Sequence, residues 1–127
     1  MAHEAIIPPG SAPPLAPYSP GVRTGNTIYV SGILAMDADG KTVGAGDIRV
    51  QTRHVIESIK SVVEAGGGKL SDVAFNQIFL ADLGDYAGMN EIYREYFGDN
   101  PPARYCIKAE LVKPAFLVEI SSTAHLV

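Results

Sequence analysis

The chain has 127 residues, 46% of them hydrophobic and 19% charged, with a formal net charge of −4. That size and balance fit one soluble domain, expected to span residues 1–127, with a core that needs no staples. The acidic balance and the lack of any Lys/Arg cluster argue against nucleic-acid and membrane-surface partners, and no apolar run approaches the roughly 20 residues of a membrane span.

The opening "MAHEAIIPPG" has neither the basic start nor the long apolar stretch of a signal peptide. The single cysteine, Cys106, excludes an intramolecular disulfide and suits a reducing cytoplasm, the expected location. The first twenty residues are rich in proline and small side chains and read as a linker. Leu15 and Tyr18, however, are large groups that such a segment is expected to bury. "NTIYVSG" (26–32) reads as a strand and "DADGK" (37–41) as a turn. A helix then begins at Gly46 or Asp47, the latter a natural N-cap for "IRVQTRHVIESIKSVVEA". Ile48, Val55, Ile59 and Val62, widened by Ile56 and Val63, form its apolar stripe. "GGG" (66–68) follows the helix, where the macrodipole is negative, so it reads as a C-cap rather than a phosphate loop.

"VAFNQIFLA" (73–81) is a continuous, mostly apolar run, expected to be an interior strand covered on both faces. Asp82 or Asp85 caps a second helix, "YAGMNEIYREYFG", whose Tyr86, Met89, Tyr93 and Phe97 share a stripe expected to be core. In "ARYCIKAEL", Tyr105, Ile107 and Ala109 alternate with Arg104, Cys106 and Lys108, the period of a strand in the core sheet. "FLVEISSTAHLV" closes the chain as the last strand. The order predicts an α+β domain, a mixed sheet with two helices packed on one face. The opposite face is left bare, and another subunit is its expected cover.

Chemistry is sparse. His3, His54 and His125 are scattered and one cysteine builds no thiolate site, so no metal is expected. His54, beside Arg53, reads as a surface or subunit-contact residue. "YVSGIL" lacks the first glycine of a G-x-S-x-G elbow. Cys106 next to arginine reads either as strand packing or as a thiol of lowered pKa. Arg104 is the odd residue, a permanent cation whose rigid fork fits a carboxylate. Unpaired burial is too costly, so it either bridges to Glu119 on the last strand or holds a small charged molecule.

"APYSPGV", "IYVSG", "DLGDYAGMNEIYREYF", "PPARYCI" and the late "VEI" resemble the YjgF/YER/UK114 family, the reactive intermediate deaminases, over almost the full length. The resemblance implies a chorismate-mutase-like α+β fold and a homotrimer with clefts between subunits. It also implies cofactor-free hydrolysis of carboxylate-bearing enamines and imines. Position by position, it makes Arg104 the carboxylate binder and Glu119 the acidic residue beside a catalytic water. Tyr18 becomes the tyrosine over the cleft, Ser31 the serine after the early strand, Asn90 a helix asparagine, and Cys106 a residue whose backbone faces the ligand.

Within the family, "IIPPGSAPPLAPYSPG", "SGILAMD", "QTRHVIESIKSVVEAGG" and "LVKPAFLVEI" are most similar to members that deaminate 3-aminoacrylate to malonic semialdehyde in pyrimidine catabolism. Ile33, where commoner imine deaminases carry glutamine, and the late Pro114 both point away from 2-aminoacrylate. A 2-imino acid (2-aminoacrylate) deaminase and a non-enzymatic, metabolite-binding regulatory trimer remain the alternatives.

Overall fold

In the computed structural model, which describes residues 2–127, strand structure begins inside the segment read as a linker. Glu4–Ile6 (β1) pairs antiparallel with Gly21–Thr24 (β2), which turns back through Gly25, at φ +57°, into Thr27–Ile33 (β3). β1 and β2 are three and four residues long, too short for an alternation to register in the sequence. Between them the proline-rich segment runs over the surface, and Leu15 and Tyr18 are exposed rather than buried.

Ile48–Ala65 forms α1 behind the expected cap, the Asp47 carboxylate accepting from the backbone N–H groups of Arg49 and Val50. Its stripe of Ile48, Val55, Ile56, Ile59, Val62 and Val63 is buried as expected. The glycine run closes the helix. Gly67, at φ +95°, donates to the Glu64 carbonyl and Gly68 to the Val63 carbonyl, the paired bonds of a Schellman cap. Gln51 is buried in the same stripe. Its side chain donates to the Ala115 carbonyl at 2.8 Å and accepts from the Leu117 N–H at 2.8 Å. One helix residue thereby fixes the loop that delivers the last strand.

Val73–Leu80 forms β4 and Tyr86–Phe97 forms α2. Asp82 accepts from the Gly84 N–H and starts a short 3-10 turn, while Asp85 stands at the α2 N-terminus without a side-chain bond. Ala103–Lys108 (β5) and Val118–His125 (β6) complete a sheet of order β1-β2-β3-β6-β4-β5, antiparallel except for β4–β5. Two helices thus pack on a mixed six-stranded sheet, the α+β architecture the element order predicted. Among the described residues no helix is long and apolar enough to cross a membrane.

Three burial expectations need correction. β4 buries Val73, Asn76, Ile78 and Leu80 under the helices, but Phe75, Gln77 and Phe79 on its other face are only partly covered within the chain. β5, read as a strand of the core sheet, lies at its edge and leaves Tyr105 and Ile107 exposed. Met89, Tyr93 and Phe97 are core on α2, but Tyr86 in its first turn is 44% exposed.

Candidate active site

A bulge builds the first group of residues. β3 pairs with β6 from Thr27 to Val30, then the register shifts before Ile33 meets Ile120, leaving Ser31 and Gly32 opposite Ser121. Ser31 is tied to the proline-rich segment, its N–H donating to the Pro20 carbonyl at 2.9 Å and its hydroxyl to the Ser19 carbonyl at 2.6 Å. That places Tyr18, the preceding residue, beside the bulge. Glu119 pairs with Phe79 across β4–β6 and therefore points to the sheet face away from the helices. Its carboxylate lies against Gly32, where an added Cβ would stand 2.9 Å from the carboxyl carbon. Glu119 is half-buried, and desolvation raises its pKa above the ordinary value.

The second group sits on the opposite side of the sheet. Arg104 on β5 pairs with the buried Asn76 on β4, so its side chain points toward α2. The guanidinium carbon stands 4.7 Å over the Tyr93 ring and 5.8 Å from the Tyr86 ring centroid. Its Nη2 donates to the Tyr86 hydroxyl at 3.1 Å. Tyr93 is itself anchored, since its hydroxyl accepts from Asn76 Nδ2 at 3.0 Å and Asn76 Oδ1 accepts from the Ser122 hydroxyl. Asn90 lies one turn from both Tyr86 and Tyr93, on the same stripe of α2. Cys106 shares the Arg104 face of β5 and packs against the core. Burial raises its thiol pKa more than the Arg104 charge lowers it, which is the packing reading of this cysteine.

Arg104 and Glu119 do not meet in one chain. They occupy opposite sheet faces, on strands with β4 between them and three residues out of step, which puts their backbones on the order of 14 Å apart. Among the described residues the ion pairs are Arg49–Glu91 and Arg53–Glu95, both joining α1 to α2 at the surface. A structural bridge between Arg104 and Glu119 within one chain is therefore ruled out. A cavity of about 260 Å³ opens beside Tyr18, Pro20, Gly32, Ile33 and His54, yet neither Arg104 nor Glu119 lines it. Within one chain the two groups remain on separate faces of the sheet.

A protein-family model described as endoribonuclease L-PSP, the YjgF family, matches residues 9–126. The chain belongs to this family. "3-Aminoacrylate deaminase RutC" of Acinetobacter baylyi (strain ADP1) is 51% identical over 126 residues, covering 99% of this chain and 100% of that protein. The crystal structure of RidA from the Antarctic bacterium Psychrobacter sp. PAMC 21119 matches with a TM-score of 0.89 at 31% identity, covering 97% of this chain and 99% of that one. E. coli TdcF with bound serine matches with a TM-score of 0.89 at 26% identity, covering 98% and 99%. The fold of the YjgF family, expected from the sequence, is the fold observed.

For this YjgF-family chain the sequence reading missed the neighbours of both charged groups. Tyr93 is core, as its stripe predicts, but its ring and that of the exposed Tyr86 also form the bed of Arg104. The available signal was helical spacing, because both stand one turn from Asn90. Gly32 reads in the sequence as an ordinary strand residue, although the glycine after Ser31 is what leaves space for the Glu119 carboxylate. His54 is no free surface residue: it is half-buried and hydrogen-bonds the Met36 carbonyl at 2.7 Å, joining α1 to the loop after β3.

Proposed function

We propose that this chain is a hydrolytic deaminase converting 3-aminoacrylate to malonic semialdehyde and ammonia, at clefts between subunits of a cytoplasmic homotrimer. The observation that carries the reading is the full-length relationship to the Acinetobacter baylyi 3-aminoacrylate deaminase, 51% identical. The geometry supports it. Among the described residues no carboxylate pairs with Arg104, so its fork is free for the carboxylate of a substrate. Because Arg104 and Glu119 face opposite sides of one sheet, only Glu119 from a neighbouring subunit completes the site, which favours an interfacial cleft. Tyr18, Ser31 and Asn90 line that cleft, and the Cys106 backbone faces the ligand from an edge strand with one unpaired row of backbone groups.

The reaction asks little of such a site. Arg104 fixes the carboxylate, and a proton is delivered to the carbon next to it, turning the enamine into an imine. Water then adds to the imine carbon, the carbinolamine expels ammonia, and the aldehyde remains. Enamines are prone to this hydrolysis in water, so orientation and one acid–base group suffice, the latter worth roughly 10²–10⁴-fold. Glu119 is suited to that task because burial raises its pKa above the ordinary carboxylate value, which makes its proton-carrying form easier to populate.

The test offers 3-aminoacrylate and 2-aminoacrylate, each generated in situ, and measures ammonia release above the spontaneous rate. Faster turnover of 3-aminoacrylate is expected. Preference for 2-aminoacrylate would make the chain a 2-imino acid deaminase, and binding without ammonia release would make it a metabolite-binding trimer. Single-stranded RNA in the same buffer is expected to stay intact, in keeping with a net charge of −4.

A further inference from the structure

An arginine on an edge strand ought to be a poor fixed receptor. Its side chain has many rotamers, and ordering it only when substrate arrives weakens binding. In this chain the ordering is already built. Tyr93 supplies a flat face 4.7 Å from the guanidinium carbon, and that ring is held from inside by Asn76 and, behind it, Ser122. Phe97 packs against the same ring, with centroids 4.7 Å apart. At one edge of the guanidinium, Nη2 donates to the Tyr86 hydroxyl at 3.1 Å. The face and one edge are engaged, while the remaining N–H groups keep their donor capacity.

We propose that Tyr86 and Tyr93 are positioning residues, a two-tyrosine cradle that holds the Arg104 fork in the orientation that receives a substrate carboxylate. The proposal rests on the role given to Arg104 in the deaminase reading. Tyr93 sets the plane of the guanidinium, and Tyr86 sets its rotation within that plane. Neither tyrosine exchanges a proton with substrate, so the cradle acts on affinity rather than on the chemical step.

Tyr86→Phe isolates the effect, because the ring stays and the lost hydroxyl belongs to a residue 44% exposed. The probe is acrylate, a carboxylate of the substrate's length that lacks the amine, titrated calorimetrically into the intact oligomer. Tyr86→Phe should weaken acrylate binding and raise KM by roughly threefold to tenfold, the cost of ordering one long side chain, with kcat and melting temperature unchanged. Tyr86→Ala should weaken both further. In an Arg104→Lys background the same Tyr86→Phe change should alter acrylate binding less than about twofold, since the group it positions is gone. The cradle is overturned if Tyr86→Phe binds acrylate like the parent, if its effect persists undiminished beside Arg104→Lys, or if the parent does not bind acrylate. A parent that binds acrylate in a Tyr86-dependent way, yet releases no ammonia from 3-aminoacrylate, would leave the cradle standing and remove the deaminase reading.

Discussion

Glu119→Gln keeps the size and hydrogen-bonding capacity of the side chain and removes its proton exchange. Had Glu119 been the partner of Arg104, the change would strand a buried cation, a loss of about 3–5 kcal/mol. The two residues lie on opposite sheet faces, so no such loss is expected. Desolvation instead raises the Glu119 pKa above 4.5, which means that the folded chain holds this proton more tightly than the unfolded one. Stability from that proton is present in acid and is lost as pH rises from about 4.5 through the raised value. Each unit of such a shift is worth about 1.4 kcal/mol, reduced here by the partial exposure of the group. Glutamine carries no such pH dependence. Glu119→Gln should therefore melt at or slightly above the parent temperature at neutral pH, and the difference should vanish in acid. Ammonia release, corrected for the spontaneous reaction, should fall roughly 10²–10⁴-fold. Melting curves from about pH 4 to about pH 8, paired with turnover on the same samples, read both quantities. A variant that is several degrees less stable at neutral pH and deaminates like the parent would refute both the catalytic assignment and the geometry behind it.

Arg104→Lys should impair deamination nearly as much as Arg104→Ala, because lysine keeps the charge and loses the two-toothed fork; parent-like kinetics would remove the orientation role. Gly32→Ala should fold with a melting temperature close to the parent's, since only the far end of Glu119 stands in the way of the new methyl group. Its turnover should nonetheless fall at least tenfold as the carboxylate is displaced, one tenfold step being about 1.4 kcal/mol of barrier. Light scattering at micromolar concentration should report three copies of the 13.5 kDa chain, and a folded monomer would dissolve the shared cleft.

The elements legible in the sequence were those with enough residues to show a period. α1 declared itself through Asp47, its apolar stripe and the glycine run, because caps and amphipathic spacing are local physics. The family was legible for a related reason, since "PPARYCI" and "VEI" carry the resemblance in contiguous residues. β1 and β2 were not legible. Strands of three and four residues have no pattern of their own and exist because β3 offers an edge to pair with. Arg104 and Glu119 stood out as charges in apolar strands, but their relation depended on register. In a strand one residue of shift exchanges the two faces, and the positions of β4, β5 and β6 relative to one another follow from packing across the sheet rather than from any segment alone. Only the tertiary structure put Arg104 on the α2 side over two tyrosines, and Glu119 on the other side against a bulge. The residue types needed for carboxylate chemistry are set by the sequence. Their separation onto two faces is set by the pleat of the sheet, which sends neighbouring side chains to opposite sides.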